Sequence, residues 1–398
     1  MVSKKYILPC IWLLVAYAGV LEFGGFSQGR TKILLLFFGT ILVAIQKGTW
    51  GKISSERNLL FLCFLAPVAF LSSIYTHSFE TNLLISLVQV YGSLVFFILL
   101  RVAGDKVLHA NLPKYMFVFI GSQIFAACVK FVIFGQQEGL GVGTLSVQAG
   151  SISTFISVLI CYHACNNSSL KACLLFILGA TLFAFINEKR FAMLLVFTFA
   201  LLVFRDLKFS TREQRSMYLL VLPALLIPLL LLFMNSIDSI LEGNSIFAFP
   251  ARVIHYLTQT DGAGLPIGRI AGILYVFTQY SSIEQFLFGF DPFFYFSSAF
   301  IEASVGDVVT FRPSAFVITF VRFGIFGCLP WFVVMIYIWR RISGRYATIF
   351  KLYVIFDFFV YSDNFFVSYF LVFYFATLAS LRENARRPIF AAPSYHTN

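Results

Sequence analysis

Apolar stretches follow one another along this chain so closely that little else fits between them. Twelve are read near residues 6–23, 31–45, 58–74, 83–100, 114–134, 147–164, 170–186, 191–204, 216–234, 314–338, 347–361 and 365–381. A helix needs about 20 mostly apolar residues to cross the hydrocarbon of a bilayer, and most of these stretches approach that length. A barrel would instead show alternating segments of about ten residues. Helices satisfy their own backbone hydrogen bonds, which an apolar phase demands. Composition points the same way. The 398 residues are 59% hydrophobic and 12% charged, with a mean hydropathy of +0.87; soluble domains carry about 25% charged residues. So few ionic groups cannot cover the surface of a soluble protein of this size. The expected fold is an all-α integral membrane protein, a single polytopic domain over 1–398. Soluble enzymes, disordered chains and nucleic-acid-binding modules are excluded as classes.

The net charge of +11 is then read as topology. Short cytoplasmic loops collect Lys and Arg. With both termini inside, 20 of the 29 basic residues fall on the cytoplasmic side. They include Lys4 and Lys5 before an uncleaved first helix, Arg205, Lys208, Arg212 and Arg215 after the eighth span, and Arg340, Arg341 and Arg345 after the tenth. The outer loops 75–82, 135–146 and 362–364 have none. An even number of spans preserves this alternation, so twelve is the expected number. The seven cysteines lie in or beside apolar runs without a CxxC pair, and neither a disulfide framework nor a metal site is expected from them.

Nine basic residues break the inside rule. Arg30 and Lys32 are read as snorkelling at a helix end, and Lys130 as snorkelling from the fifth span. Lys189 and Arg190 occupy the short outer turn Asn187-Glu188-Lys189-Arg190, either as an interfacial anchor paired with Glu188 or as an anion clamp. Arg252, Arg269 and Arg312 belong to residues 235–313, the one long outer loop, which is expected to contain short helices lying on the membrane or capping a cavity. Long loops in compact folds are usually functional. Residues 267–279 place Ile270, Ile273, Leu274 and Phe277 on one helical face. Residues 286–296 read as a turn in an aromatic stretch, for membrane anchoring or for stacking on sugar. Arg322 lies about eight residues into the tenth span, where a charge marks either a buried pair or a function; Asp357 in the eleventh span is its candidate partner. Gly324 and Gly327 are expected to allow close helix packing.

The P-loop, zinc-protease and paired-aspartate motifs G-x-x-x-x-G-K-S/T, H-E-x-x-H and D-x-D do not occur. The glycine-rich turn at 139–143 is read as a flexible loop. Of the five histidines, only His255 lies in the long outer loop, as a hydrogen-bonded structural residue or as a base. Arginine matches phosphate with a fork of donors and keeps its charge. Outer-face arginines in a membrane protein therefore suit a lipid-linked phosphate or diphosphate whose charge grows as it leaves.

Three elements carry a resemblance to a known family. The first is Glu188-Lys189-Arg190 leading into an apolar helix. The second is the long outer loop with Gly268-Arg269 and then Phe286-Leu287-Phe288-Gly289-Phe290-Asp291. The third is Arg322-Phe323-Gly324-Ile325-Phe326-Gly327. In their order, spacing and sidedness the chain resembles the bacterial O-antigen polymerase and O-antigen ligase superfamily, over roughly residues 170–340. The resemblance implies a GT-C-like glycosyltransferase of the bacterial inner membrane, acting at the periplasmic face on undecaprenyl-diphosphate-linked oligosaccharides, with no cofactor and no metal. A chain-length regulator is a further partner it allows; nucleic acid is not one. By this analogy Arg190 and Arg269 bind the diphosphates of donor and acceptor, with Lys189, Arg252, Arg312 and Arg322 as further ligands. Glu188, His255 and Asp291 are the candidate bases. Ligases carry a His just before the tenth span, where this chain reads Phe311-Arg312-Pro313-Ser314; the departure favours a polymerase. Two alternatives stay open: ligase-type transfer to a lipid A core, and a flippase or transporter of lipid-linked sugars, although no repeat relates residues 1–200 to 200–398.

Overall fold

The computed structural model describes residues 112–134, 150–187, 190–206, 280–290 and 314–361, together with isolated positions between 41 and 94, between 223 and 227, and at 277. Among the described residues the secondary structure is helical, with no strand. The longer helices are α1 (Leu112–Phe134), α2 (Gly150–Asn167), α3 (Leu170–Ile186), α4 (Arg190–Arg205), α5 (Ile283–Phe288), α6 (Ala315–Arg341) and α7 (Ala347–Phe356), which runs on into a π-helical turn, Asp357–Tyr361. The spans expected near 114–134, 147–164, 170–186, 191–204, 314–338 and 347–361 correspond to α1, α2, α3, α4, α6 and α7 with its π turn. The other six lie outside the described runs, with isolated helical positions in four of them.

Among the described residues two stretches, Met116–Ile133 of α1 and Ala315–Tyr337 of α6, are long and apolar enough to cross a membrane. They are used differently. α1 turns Val118, Phe125, Val132 and Ile133 outward, each more than 60% exposed. An apolar surface of that kind is rare on soluble monomers. α6 is a core helix, with Trp331, Phe323 and Val321 fully buried.

α2, α3 and α4 pack on one another, and α1 lies against α2 and α3. Apolar residues lie on every side of these helices; Ile156, Leu159, Ile177, Phe183, Val196 and Phe199 are sealed from solvent, while Leu175, Leu182 and Leu201 are exposed. Ser169 caps α3 by accepting from the Ala172 N–H at 3.4 Å. α7 joins the group through Tyr162, whose ring stacks on Phe350 at 4.1 Å between centroids.

The helix ends sort into two sets. At one end, the connector 342–346 between α6 and α7 is fastened to the last turns of α2 and α4. Asn166 pairs with the Arg345 backbone: the Arg345 N–H donates to Asn166 Oδ1 at 2.8 Å, and Asn166 Nδ2 donates to the Arg345 carbonyl at 3.3 Å. The Tyr162 hydroxyl donates to the Ser343 carbonyl at 2.7 Å. The Tyr346 hydroxyl lies 3.0 Å from the Leu202 carbonyl and 2.9 Å from Asp206 Oδ2. At the other end, Phe191 meets Phe356 and Ser314 Oγ donates to the Phe359 carbonyl at 2.7 Å. The last turns of α2, α4 and α6 therefore share one end, as the alternation of spans requires.

Asp206 sits in the first of these sets. Burial works against its charge, but the hydroxyl of Tyr346 and the neighbouring Arg205 hold its carboxyl below the usual range. A depressed carboxylate pKa gives stability that is present above the unfolded-state value and lost as pH falls through the folded one. Tyr346→Phe should therefore destabilise the protein near neutral pH by about 1 kcal/mol, at the low end for a bond to a charged group because Asp206 is partly exposed. The difference should shrink once Asp206 is protonated. Thermal unfolding of both proteins in detergent across the acid range checks this; a pH-independent difference would assign the loss to the hydroxyl's contact with the Leu202 carbonyl instead.

Candidate functional site

The α3 to α4 hairpin carries the first group of candidate residues. Asn187 ends α3, with its own N–H on the Phe185 carbonyl. Its side chain is buried, at 2% exposure. Asn187 Nδ2 donates to the Phe183 carbonyl, and Ser153 Oγ of α2 donates to Asn187 Oδ1 at 3.0 Å. The turn is thus tied both to the helix before it and to the start of α2. Arg190 opens α4 directly after the turn. Ala184, Ala192 and Met193 close the hairpin with an apolar contact. Glu188 and Lys189 lie outside the described residues. The anchoring pair of Ser153 and Asn187 was not singled out by sequence: a Ser thirty-four residues upstream gives no local signal of its partner.

The second group is built on α6. Ser314 caps it, accepting from the Val317 N–H at 3.3 Å. The helix is not continuous. Gly324 has φ 61° and ψ −161°, so the ladder breaks about two and a half turns in. A break at that point exposes carbonyls of the preceding turn, and these need other donors. The Phe320 and Val321 carbonyls, which a continuous helix would offer to residues 324 and 325, are met by segment 280–290. The Tyr280 hydroxyl donates to the Phe320 carbonyl at 3.1 Å, and the Phe290 N–H donates to the Val321 carbonyl at 2.9 Å.

Segment 280–290 folds for this purpose around a single helical turn and a half. Ser282 caps α5, accepting from the Gln285 N–H at 3.2 Å, while Gln285 Oε1 accepts from the N–H and hydroxyl of Ser281 at 3.0 and 2.9 Å. This is a relative of the capping box. Gly289 ends α5 with φ 89°, a conformation that only glycine adopts without strain. The two glycines then cross. A β-carbon on Gly289 would stand 2.5 Å from the Arg322 carbonyl carbon and 2.6 Å from its oxygen; one on Gly324 would collide with the Leu287 carbonyl. Rings surround the crossing: Tyr280 and Phe286 pack on Phe320, Phe290 packs on Tyr280, and Phe288 meets Phe326 and Tyr75. The described aromatic residues of 286–296 therefore clasp α6, a use that the expectation of membrane anchoring or sugar stacking did not include.

Arg322 lies one residue past Val321, at 2% exposure, and Asp357 is fully buried in the π turn that packs against α6. Asp357 Oδ1 accepts from the Tyr353 hydroxyl at 3.1 Å. Buried charges at such depth are costly and mark a pair or a function, and π-helical turns are frequent at functional sites. Gly327 does allow close approach, its carbonyl accepting from the Tyr91 hydroxyl at 3.0 Å. Gly324 also allows a close approach, to the backbone of Leu287 in α5, and in addition breaks its own helix.

Of the residues that sequence put forward, Arg190 is located at the head of α4 and Arg322 in the buried turn before the break. Arg252, His255, Arg269, Asp291 and Arg312 lie outside the described residues, together with Glu188 and Lys189. Among the described residues no three His, Cys, Asp or Glu side chains gather as metal ligands would. Cys165 and Cys173 are free thiols with sulfurs 3.6 Å apart, in the end set opposite to the one bearing Arg190. No family model, curated protein or solved structure matches this chain.

Removing the side chain of Asn187 leaves the buried Ser153 hydroxyl without this acceptor. Asn187→Ala should therefore cost roughly 1–3 kcal/mol of stability, the range for a buried group left unsatisfied. Denaturant or thermal unfolding in detergent checks it, and an unchanged midpoint would show that the turn is not anchored through this side chain.

Proposed function

We propose that this protein is an integral-membrane glycosyltransferase that polymerises undecaprenyl-diphosphate-linked oligosaccharide repeat units at the periplasmic face of a bacterial inner membrane. In this reading about twelve spans form a GT-C-like fold with both termini in the cytoplasm. The observation that carries it is the close approach of two backbones, with Gly289 against Arg322 and Phe323 and Gly324 against Leu287 and Phe288. Two of the three elements behind the resemblance, one from the long outer loop and one from the tenth span, are in backbone contact. The second of them contains a buried arginine, Arg322, whose carbonyl faces Gly289.

The chemistry follows from the residue types. A hydroxyl at the non-reducing end of the acceptor glycan attacks the anomeric carbon of the donor. The bond from that carbon to the diphosphate oxygen breaks, and undecaprenyl diphosphate leaves with both bonding electrons. Glu188, Asp291 or His255 takes the hydroxyl proton. Arg190 and Arg269, aided by Lys189, Arg252, Arg312 and Arg322, neutralise the charge that grows on the leaving group. Transfer needs no internal energy source, because the diphosphate ester is already activated. A chain-length regulator is the protein partner this activity would take.

One observation favours a second reading. Transporters commonly use discontinuous helices, and α6 is one. Deletion in the source organism separates the two. A polymerase null keeps single repeat units on the surface and loses the long ladder on a polysaccharide gel. A transporter null loses surface repeats altogether. An unchanged ladder would overturn both. In the restored strain Arg190→Ala and Arg269→Ala should each shorten or abolish the ladder while the protein stays in the membrane; full-length polymer from either would remove that arginine from the mechanism.

A further inference from the structure

Three consecutive peptide groups of α6 are held from outside the helix. The Phe320 carbonyl takes the Tyr280 hydroxyl, the Val321 carbonyl takes the Phe290 N–H, and the Arg322 carbonyl abuts Gly289. Immediately beyond them the helix breaks at Gly324. The turn that carries Arg322 is therefore not set by the long inner part of α6, because the ladder that would transmit that orientation is interrupted. Its placement comes from segment 280–290. That segment is itself rigid at the contact, with α5 capped at one end by Ser282 and Gln285 and at the other by Gly289.

We propose that Tyr280 and the crossing of Gly289 with Gly324 are positioning residues for Arg322. They fix its guanidinium for an anionic ligand of the diphosphate class, which rests on the reading of Arg322 as a diphosphate ligand given above. The tolerance is small. Non-bonded carbon atoms stand about 3.5 Å apart at best, so a β-carbon placed 2.5 Å from the Arg322 carbonyl carbon forces the two backbones apart by roughly 1 Å. A misplacement of that size costs on the order of 100-fold in rate when the displaced group serves the reaction.

The test uses the full-length protein in membranes, with lipid-linked repeat units extracted from the deletion strain as substrate. Gly289→Ala should lower kcat/KM by on the order of 100-fold. Tyr280→Phe keeps the ring and removes one hydrogen bond, and should lower it by about tenfold. In an Arg322→Gln background neither change should add a comparable further loss, because residues acting through one group are not additive. Losses that multiply in that background, or no loss from either variant, would overturn the assignment. A second readout is independent of turnover. Arg322→Cys should react slowly with a membrane-impermeant maleimide, above the native cysteines as baseline, and faster once Gly289→Ala is added. An unchanged rate would also overturn the positioning role. If the wild type forms no polymer, the polymerase reading falls, and the labelling result still decides whether segment 280–290 holds Arg322.

Discussion

A backbone carbonyl inside an apolar protein has to find a donor, and α6 stops supplying its own at Gly324. An unsatisfied group in such surroundings costs several kcal/mol. The local solution is to bring in another piece of chain. Tyr280 and Phe290 supply the two donors, and the approach is close enough only because neither crossing residue has a β-carbon. Both glycines also have positive φ, so the requirement is doubled: space for the opposing backbone and a conformation that other residues adopt with strain. The short helix α5, its caps and the surrounding aromatic cluster all follow from holding that junction together.

The other fixed point is α2. Its middle is apolar and buried, while polar side chains fasten both of its ends. Ser153 reaches Asn187 at the hairpin that leads to Arg190, and Asn166 and Tyr162 reach the connector 342–346. One helix thus sets the location of a basic turn at one end and ties α6 to α7 at the other. Buried polar contacts of this kind cost little when fully paired and much when half paired, so they specify one arrangement among several that the apolar surfaces alone would accept. Arg322 and Asp357 lie in the same interior, on elements that pack against each other. Of the charges in the proposed chemistry, Arg322 lies in this interior.

Much of the described fold was legible in the sequence. The bounds of α1, α2, α3 and α4 fall within a few residues of the apolar stretches, because lipid or core burial demands unbroken hydropathy over a helix length and charged residues mark where it stops. Gly289, Gly324 and Gly327 stood out as turn or packing positions. Tyr280 did not, since a tyrosine in an aromatic loop carries no sign that its hydroxyl serves a carbonyl forty residues on. The break in α6 was equally hidden. Residues 314–338 read as one helix, and a glycine inside an apolar run is tolerated in membrane helices without breaking them.

By itself, then, the sequence determined which of the described long segments are helical, which ends of those helices lie together, and which few charges depart from the expected orienting pattern. Hydropathy and charge are properties of consecutive residues, and partition between water and an apolar phase reads them directly. Tertiary structure decided that segment 280–290 packs on α6 and completes its hydrogen bonds, that Ser153 anchors Asn187, and that Arg322 lies beside the crossing of two glycines. Those outcomes depend on pairing between residues far apart in the chain, where the deciding quantity is whether two backbones can approach within hydrogen-bonding distance.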